Sequence, residues 1–186
     1  MKHFRSALFS LLGLLALAPL VHAQAVYTAD RKSSIEVGGG INYIQPDYAA
    51  KSIIGASFWG DYNFTRLIGV QAEANLGTII TPTDIQQISF LVGPRVSYHR
   101  NKFTVSGKFM FGIGNITNNP ADIPNFAANS NNNPFGVLAF GGGVEYRVAR
   151  KIAIRPIEIE VQKWGNFEPH TLSPMVYTFG VSYMLR

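Results

Sequence analysis

The last twelve residues constrain the fold more than any other stretch of the chain. From Met175 to Arg186 they read M-V-Y-T-F-G-V-S-Y-M-L-R. Met175, Tyr177, Phe179, Val181, Tyr183 and Leu185 alternate with Val176, Thr178, Gly180, Ser182 and Met184. Strict period two places successive side chains on opposite faces of a strand. A dozen such positions exceed an ordinary edge strand and suit one that crosses a bilayer at a tilt.

The other end of the chain reads as an export signal. Lys2 and Arg5 give a charged start, Leu8 to Leu17 a short apolar run, and Pro19 interrupts it. Small residues then place cleavage after Ala23 or Ala25. The expected organisation is a signal peptide over 1–23, a short periplasmic segment over 24–32 and a barrel domain over 33–186. The chain has no cysteine, so neither a disulfide nor a thiolate metal site helps to hold it. Its basic balance is modest, because the 16 Lys and Arg fall to 14 against 11 acids once Lys2 and Arg5 leave. Nucleic acid is therefore not an expected partner. Charged residues make up only 15%, below the quarter usual in soluble domains, so much of the surface is expected to meet something other than water.

Alternation predicts eight strands, over 33–44, 52–64, 68–79, 87–99, 102–114, 135–148, 152–163 and 175–186. In the first, Ile35, Val37, Gly39, Ile41 and Tyr43 oppose Ser34, Glu36, Gly38, Gly40 and Asn42. In the fifth, Phe103, Val105, Phe109, Phe111 and Ile113 oppose Lys102, Thr104, Ser106 and Lys108. The seventh changes parity: Ile152 and Ile154 are even, whereas Ile157, Ile159 and Val161 are odd. One extra residue near Arg155-Pro156 restores the faces, which predicts a β-bulge that keeps Arg155, Glu158 and Glu160 on one side. The connections alternate between tight turns (65–67, 100–101, 149–151) and longer loops (45–51, 80–86, 115–134, 164–174). Short turns on one end and long loops on the other describe an up-and-down transmembrane barrel with both termini on the short-turn side.

A lipid-facing barrel and a soluble lipocalin-like barrel share this pattern inside out. The polar face is mostly Gly, Ser, Thr, Asn and Gln, too sparsely charged for a water-exposed exterior. Phe64, Tyr98, Phe103, Tyr146 and Tyr183 all fall on the apolar parity near the short turns, as an interfacial girdle requires. No Gly-x-Trp of the lipocalin kind opens the first strand, and Trp59 and Trp164 are expected near loop-side ends. The polar face then fills the interior, which in eight strands is just wide enough for side chains. Glu36, Asp61, Glu73, Glu145, Glu158 and Glu160 are expected to pair there with Arg95, Lys108, Arg147 and Arg155 as a structural ion network. The Gly runs 38–40 and 141–143 are expected to relieve crowding in that interior and to bend the sheet.

With these features assembled, the mature chain resembles the OmpA/OmpX-like small outer-membrane β-barrel proteins. Leu91-Val92-Gly93-Pro94-Arg95-Val96-Ser97-Tyr98 and Gly141-Gly142-Gly143-Val144-Glu145-Tyr146 look like strand segments of such domains. The last strand is similar to their insertion signal, with Thr178, Gly180, Tyr183 and Leu185 in the polar, glycine, aromatic and apolar places, although Arg186 departs from the usual apolar end. The resemblance implies residence in the bacterial outer membrane, with its lipopolysaccharide and phospholipid, the barrel-assembly machinery and periplasmic chaperones as partners. A monomer is expected, and so is the absence of the peptidoglycan-binding domain that some relatives carry.

Some small barrels of this kind modify lipid A, so catalysis is weighed against a structural or adhesin-like role. His99 and His170 are the histidines left after signal removal. His99 lacks the His-x-Ser arrangement that lipid A deacylases show. His170 precedes Ser173 by three in a loop, with Glu168 near it. No catalytic, cofactor or metal residues are assigned. The expected role is envelope integrity or surface interaction, with a surface ligand held by the Asn-rich loop 115–134; a lipid A-modifying enzyme and a low-conductance pore are the alternatives. Basic residues gather near the short turns, where Arg31, Lys32, Arg66, Arg100, Lys102, Arg150, Lys151 and Arg186 face only Asp30. Phospholipid phosphates of the periplasmic leaflet are their expected contact.

Overall fold

A computed structural model describes residues 33–47, 52–77, 85–118, 134–165 and 171–185. The signal segment, the segment 24–32, His170, Glu168 and residues 119–133 of the long loop lie outside the described residues. The strands are β1 (Ser34–Gln45), β2 (Ile53–Asn63), β3 (Ile68–Gly77), β4 (Ile85–Arg100), β5 (Phe103–Asn118), β6 (Phe135–Arg147), β7 (Ile152–Trp164) and β8 (Met175–Met184). Each pairs antiparallel with its neighbours in sequence, and β1 pairs back onto β8, so the sheet closes into an eight-stranded barrel. Closure leaves no unpaired edge, which is what a sheet in hydrocarbon requires.

The outer face is apolar. Phe58, Phe90, Val96, Phe109, Phe111, Leu138 and Phe179 are all about half exposed. A soluble protein rarely shows so continuous an apolar surface. The inner face is the reverse, with Glu, Gln, Asn, Ser, Arg and Lys side chains buried. Of the girdle residues, Phe64, Tyr98, Phe103 and Tyr183 are exposed, and Tyr146 is half-buried with its ring 5.0 Å from that of Phe103.

Two strands run further than alternation suggested: β4 and β5 each have 16 residues. The segment from Asn115 to Asn118 is expected to be loop because of its asparagines. The period-two pattern of the strand nevertheless persists into it, with Gly114 and Ile116 inward and Ile113 outward, and it stays in register with Ile85 to Ile88. The irregularity in β7 is one residue long and is seen from both sides. The ladder to β8 slips between Arg155 and Glu158, and the ladder to β6 slips between Val144 and Tyr146. Pro156 and Ile157 consequently both face outward, while Arg155, Glu158 and Glu160 face inward. Proline, with no N–H to donate, sits where the ladder is already broken.

The turn between β4 and β5 spans Asn101-Lys102, and Asn101 has φ 56°, a left-handed conformation that Asn adopts more readily than most residues. The glycine runs make room for side chains and for the close approach of neighbouring strands, since a Cβ on Gly40 or Gly142 would strike the backbone of Phe179 or Ser106. A Cβ on Gly38 would strike the indole of Trp59, and one on Gly180 would lie 2.6 Å from Trp59 Cη2. Gly141 and Gly143 stand opposite Glu160 and Glu158, whose Cβ atoms would be 3.2 and 3.0 Å from an added methyl. These bare stretches of wall let the largest ring and two carboxylates lean across a narrow bore.

Candidate functional site

The lumen is layered along the barrel axis. In its middle, the inward parity of β2, β3, β4, β5, β6 and β7 brings two charge clusters together. Lys108 Nζ reaches Glu73, Glu158 at 2.8 Å and Glu160 at 2.7 Å. Nearer the short turns, Arg95 pairs with Asp61 at 2.9 Å and Glu145 at 2.8 Å, and Arg155 pairs with Glu145 at 2.7 Å and Asp61 at 3.5 Å. Glu158 joins the clusters, because its second oxygen lies 2.8 Å from Arg155 Nη1. The Arg155 guanidinium also stacks 4.1 Å from the Trp59 ring centre, where the π face attracts a desolvated cation. None of the paired side chains is more than 7% exposed. Trp59 thus lies mid-lumen rather than near a loop end, and its indole N–H donates to Ser182 Oγ at 3.2 Å.

Arg147 departs from the expected network. It is exposed at the short-turn rim, where β6 ends, and among the described residues none of the ion pairs involves it. Its parity is inward, but it stands one step beyond the last enclosed level, so water solvates it instead. Among the described residues the enclosed lumen therefore holds six carboxylates, including Glu36, against the three cations Arg95, Lys108 and Arg155.

Toward the long loops the ions give way to amides. Gln162 Nε2 donates to Glu160 at 2.8 Å and Ser89 at 3.3 Å, and its oxygen accepts from Trp164 Nε1 at 3.0 Å. Across the bore, Asn42 donates to Ser57 Oγ at 2.9 Å, and Ser57 donates to Asn75. Above them comes a layer that alternation did not reveal. Ile44, Ile53, Leu91, Met110, Ile116, Phe135, Val137, Trp164, Leu172 and Val176 form one buried apolar cluster inside the barrel. Phe135 and Trp164 meet with ring centres 6.3 Å apart. The signal for it was present in β6, where Phe135 to Phe140 is apolar on both parities apart from Gly136. A strand buried on both faces reads as a continuous apolar run.

Of the residues weighed for catalysis, His170 and Glu168 lie outside the described residues. Ser97 and His99 share the inward parity of β4, but the His99 ring bonds the backbone of Arg66 rather than Ser97. A hydrolytic serine needs its base within hydrogen-bond reach. Ser173 is tied by its backbone N–H to Asp47 Oδ2 at 2.7 Å. Among the described residues no group of three His, Asp or Glu side chains could hold a metal ion. On β8, Thr178 faces the lumen, and Gly180 opposes Gly40 across the closing ladder. Tyr183 and Leu185 face outward.

The profile of the outer membrane protein beta-barrel domain matches residues 9–184. Comparison with curated sequences finds no match. Among solved structures the barrel is similar to Neisserial surface protein A, at 10% identity over 81% of this chain and 96% of that one, with a TM-score of 0.59. It is also similar to outer membrane protein OprG of Pseudomonas aeruginosa, at 13% identity over 84% and 98%, with a TM-score of 0.55. The attachment invasion locus protein Ail of Yersinia pestis, in complex with the heparin analogue sucrose octasulfate, matches at 17% identity over 82% and 97%, with a TM-score of 0.50. At these identities the likeness is one of fold.

Proposed function

The chain belongs to the outer membrane protein beta-barrel domain family, and on that premise we propose that it is a non-enzymatic barrel of the bacterial outer membrane that serves envelope integrity or surface interaction. One observation carries the reading: the bore is filled along its length, by ion pairs in the middle and an apolar plug toward the long loops. A plugged bore has no room for a substrate and no aqueous path. What remains to vary is the surface at the two ends. That one neighbour of the same fold is an attachment protein supports surface interaction, with the loop 115–134 as the element that meets a ligand. Thr178, Gly180, Tyr183 and Leu185 are the proposed handle for the assembly machinery after export through a cleaved signal.

The exposed cations of the three tight turns, Arg66, Arg100, Lys102, Arg150 and Lys151, adjoin the lipid-facing rings of Phe64, Tyr98, Phe103 and Tyr183. Lys151 Nζ lies 5.8 Å from the Tyr183 ring centre. This arrangement supports phospholipid phosphates of the inner leaflet as partners, each basic residue contributing about 1 kcal/mol. The test of the function is a comparison of lipids extracted from cells with and without the protein. Unchanged lipid A acylation, together with a detergent-extracted band that shifts on boiling, is expected. A lost or gained acyl chain refutes the non-enzymatic reading.

A further inference from the structure

We propose that the short-turn mouth of the barrel is a water site, in which one or two ordered molecules bridge Glu36, Arg95 and Ser97 and hydrate the lumen carboxylate that the ion network leaves out. Five of the six enclosed acids have a cationic partner. Among the described residues no basic side chain pairs with Glu36, whose protein contact is the Ser182 hydroxyl. Glu36 is 7% exposed, Arg95 2% and Ser97 3%. Among the described residues, Glu36 Oε1, Arg95 Nε and Ser97 Oγ find no hydrogen-bond partner. All three residues line one cavity of about 20 Å³, with His99, Glu145 and Arg147 also on its wall.

The chemistry of the three atoms selects the occupant. A carboxylate oxygen only accepts, a guanidinium N–H only donates, and a hydroxyl does both. A cation would satisfy Glu36 but would face the Arg95 guanidinium; an anion would have Arg95 and the exposed Arg147 and Lys151 on the same wall but would leave Glu36 Oε1 against a like charge. Water donates to one and accepts from the other. The volume suits it, since about 10–15 Å³ of such space admits one molecule, which then needs two to four polar partners. Leaving three buried polar groups unsatisfied would be costly, and native proteins almost always avoid it.

The first test is a crystal structure of the full chain at a resolution that shows solvent. One or two waters within hydrogen-bond distance of at least two of the three atoms are expected. A dry cavity, or a bound ion in it, overturns the proposal. The second test is a thermal-unfolding cycle with Ser97→Val, which removes the hydroxyl and puts methyl groups into the cavity, and Glu36→Leu, which removes the group being hydrated. Each single variant is expected to change the midpoint, and the double variant to fall no further than the worse single one. Strict additivity refutes a shared bridge. The crystallographic reading uses the unaltered protein, so a variant that fails to fold leaves the proposal open to refutation.

Discussion

Replacing Lys108 with methionine probes the charge network most directly, because one ammonium group serves three carboxylates. Its nitrogen touches Glu73, Glu158 and Glu160, the latter two at 2.8 and 2.7 Å, and its side chain is 2% exposed. At an effective dielectric of about 20, a unit pair 2.8 Å apart is worth roughly 6 kcal/mol of Coulomb attraction. Most of that offsets the desolvation of the ions, so the attraction is not the loss expected. What Lys108→Met does is strand the buried anions Glu73 and Glu160 and leave Glu158 to Arg155 alone, and removal of one partner from a buried pair costs about 3–5 kcal/mol. At 1.36 kcal/mol per decade, the unfolding constant should rise between about a hundredfold and a few thousandfold. Urea unfolding of the refolded barrel in lipid vesicles, followed through the fluorescence of Trp59 and Trp164, reads this directly. The triple variant Lys108→Met/Glu73→Gln/Glu160→Gln should recover much of the loss, since Glu158 keeps Arg155. A loss below about 1 kcal/mol, or a triple variant no better than the single one, would refute the view that the ions around Lys108 are enclosed and interdependent.

Other perturbations address the remaining layers. In planar bilayers the protein should show no sustained conductance, and Trp164→Ala alone should not open it, because the ion layer still fills the bore; steady channels in the unaltered protein would contradict the plug. Gly38→Val should displace the Trp59 indole and lower the boiling temperature at which the gel band shifts. Gly60→Ala, where an added methyl meets nothing within 4 Å, should leave that temperature unchanged. Reversing Arg66, Arg100 and Arg150 to Glu should weaken insertion into vesicles containing phosphatidylglycerol while leaving insertion into phosphatidylcholine unaltered, a difference that salt should erase. Equal insertion of both proteins into the anionic vesicles would remove the role given to the turns.

The barrel was legible in the sequence because lipid outside and polar groups inside impose one rule, alternation, on every strand. The bulge at Arg155-Pro156 was legible for the same reason: a change of parity has few other causes. The rule failed where its premise did. At the long-loop end the interior is itself apolar, so Phe135, Val137, Ala139 and Trp164 carry no contrast between faces, and the plug stayed hidden. Arg147 was misplaced because parity tells which side a residue faces but not how far along the axis enclosure persists. Which acid meets which base was not legible either, since most of those pairs reach between strands that are not neighbours; Arg155 with Glu145 and with Glu158 are the local exceptions.

The seam between β1 and β8 has a consequence for biogenesis. Its partners, from Glu36 with Met184 to Gln45 with Met175, are 130 to 148 residues apart, whereas every other ladder joins consecutive strands. Seven ladders can zip up as hairpins while the chain is still being handed over, but the eighth waits for the final strand. Until that meeting the sheet has two raw edges that cannot rest in hydrocarbon, so no partially inserted intermediate is stable on its own. The molecule has to be held by something else and released only once its two ends have found each other.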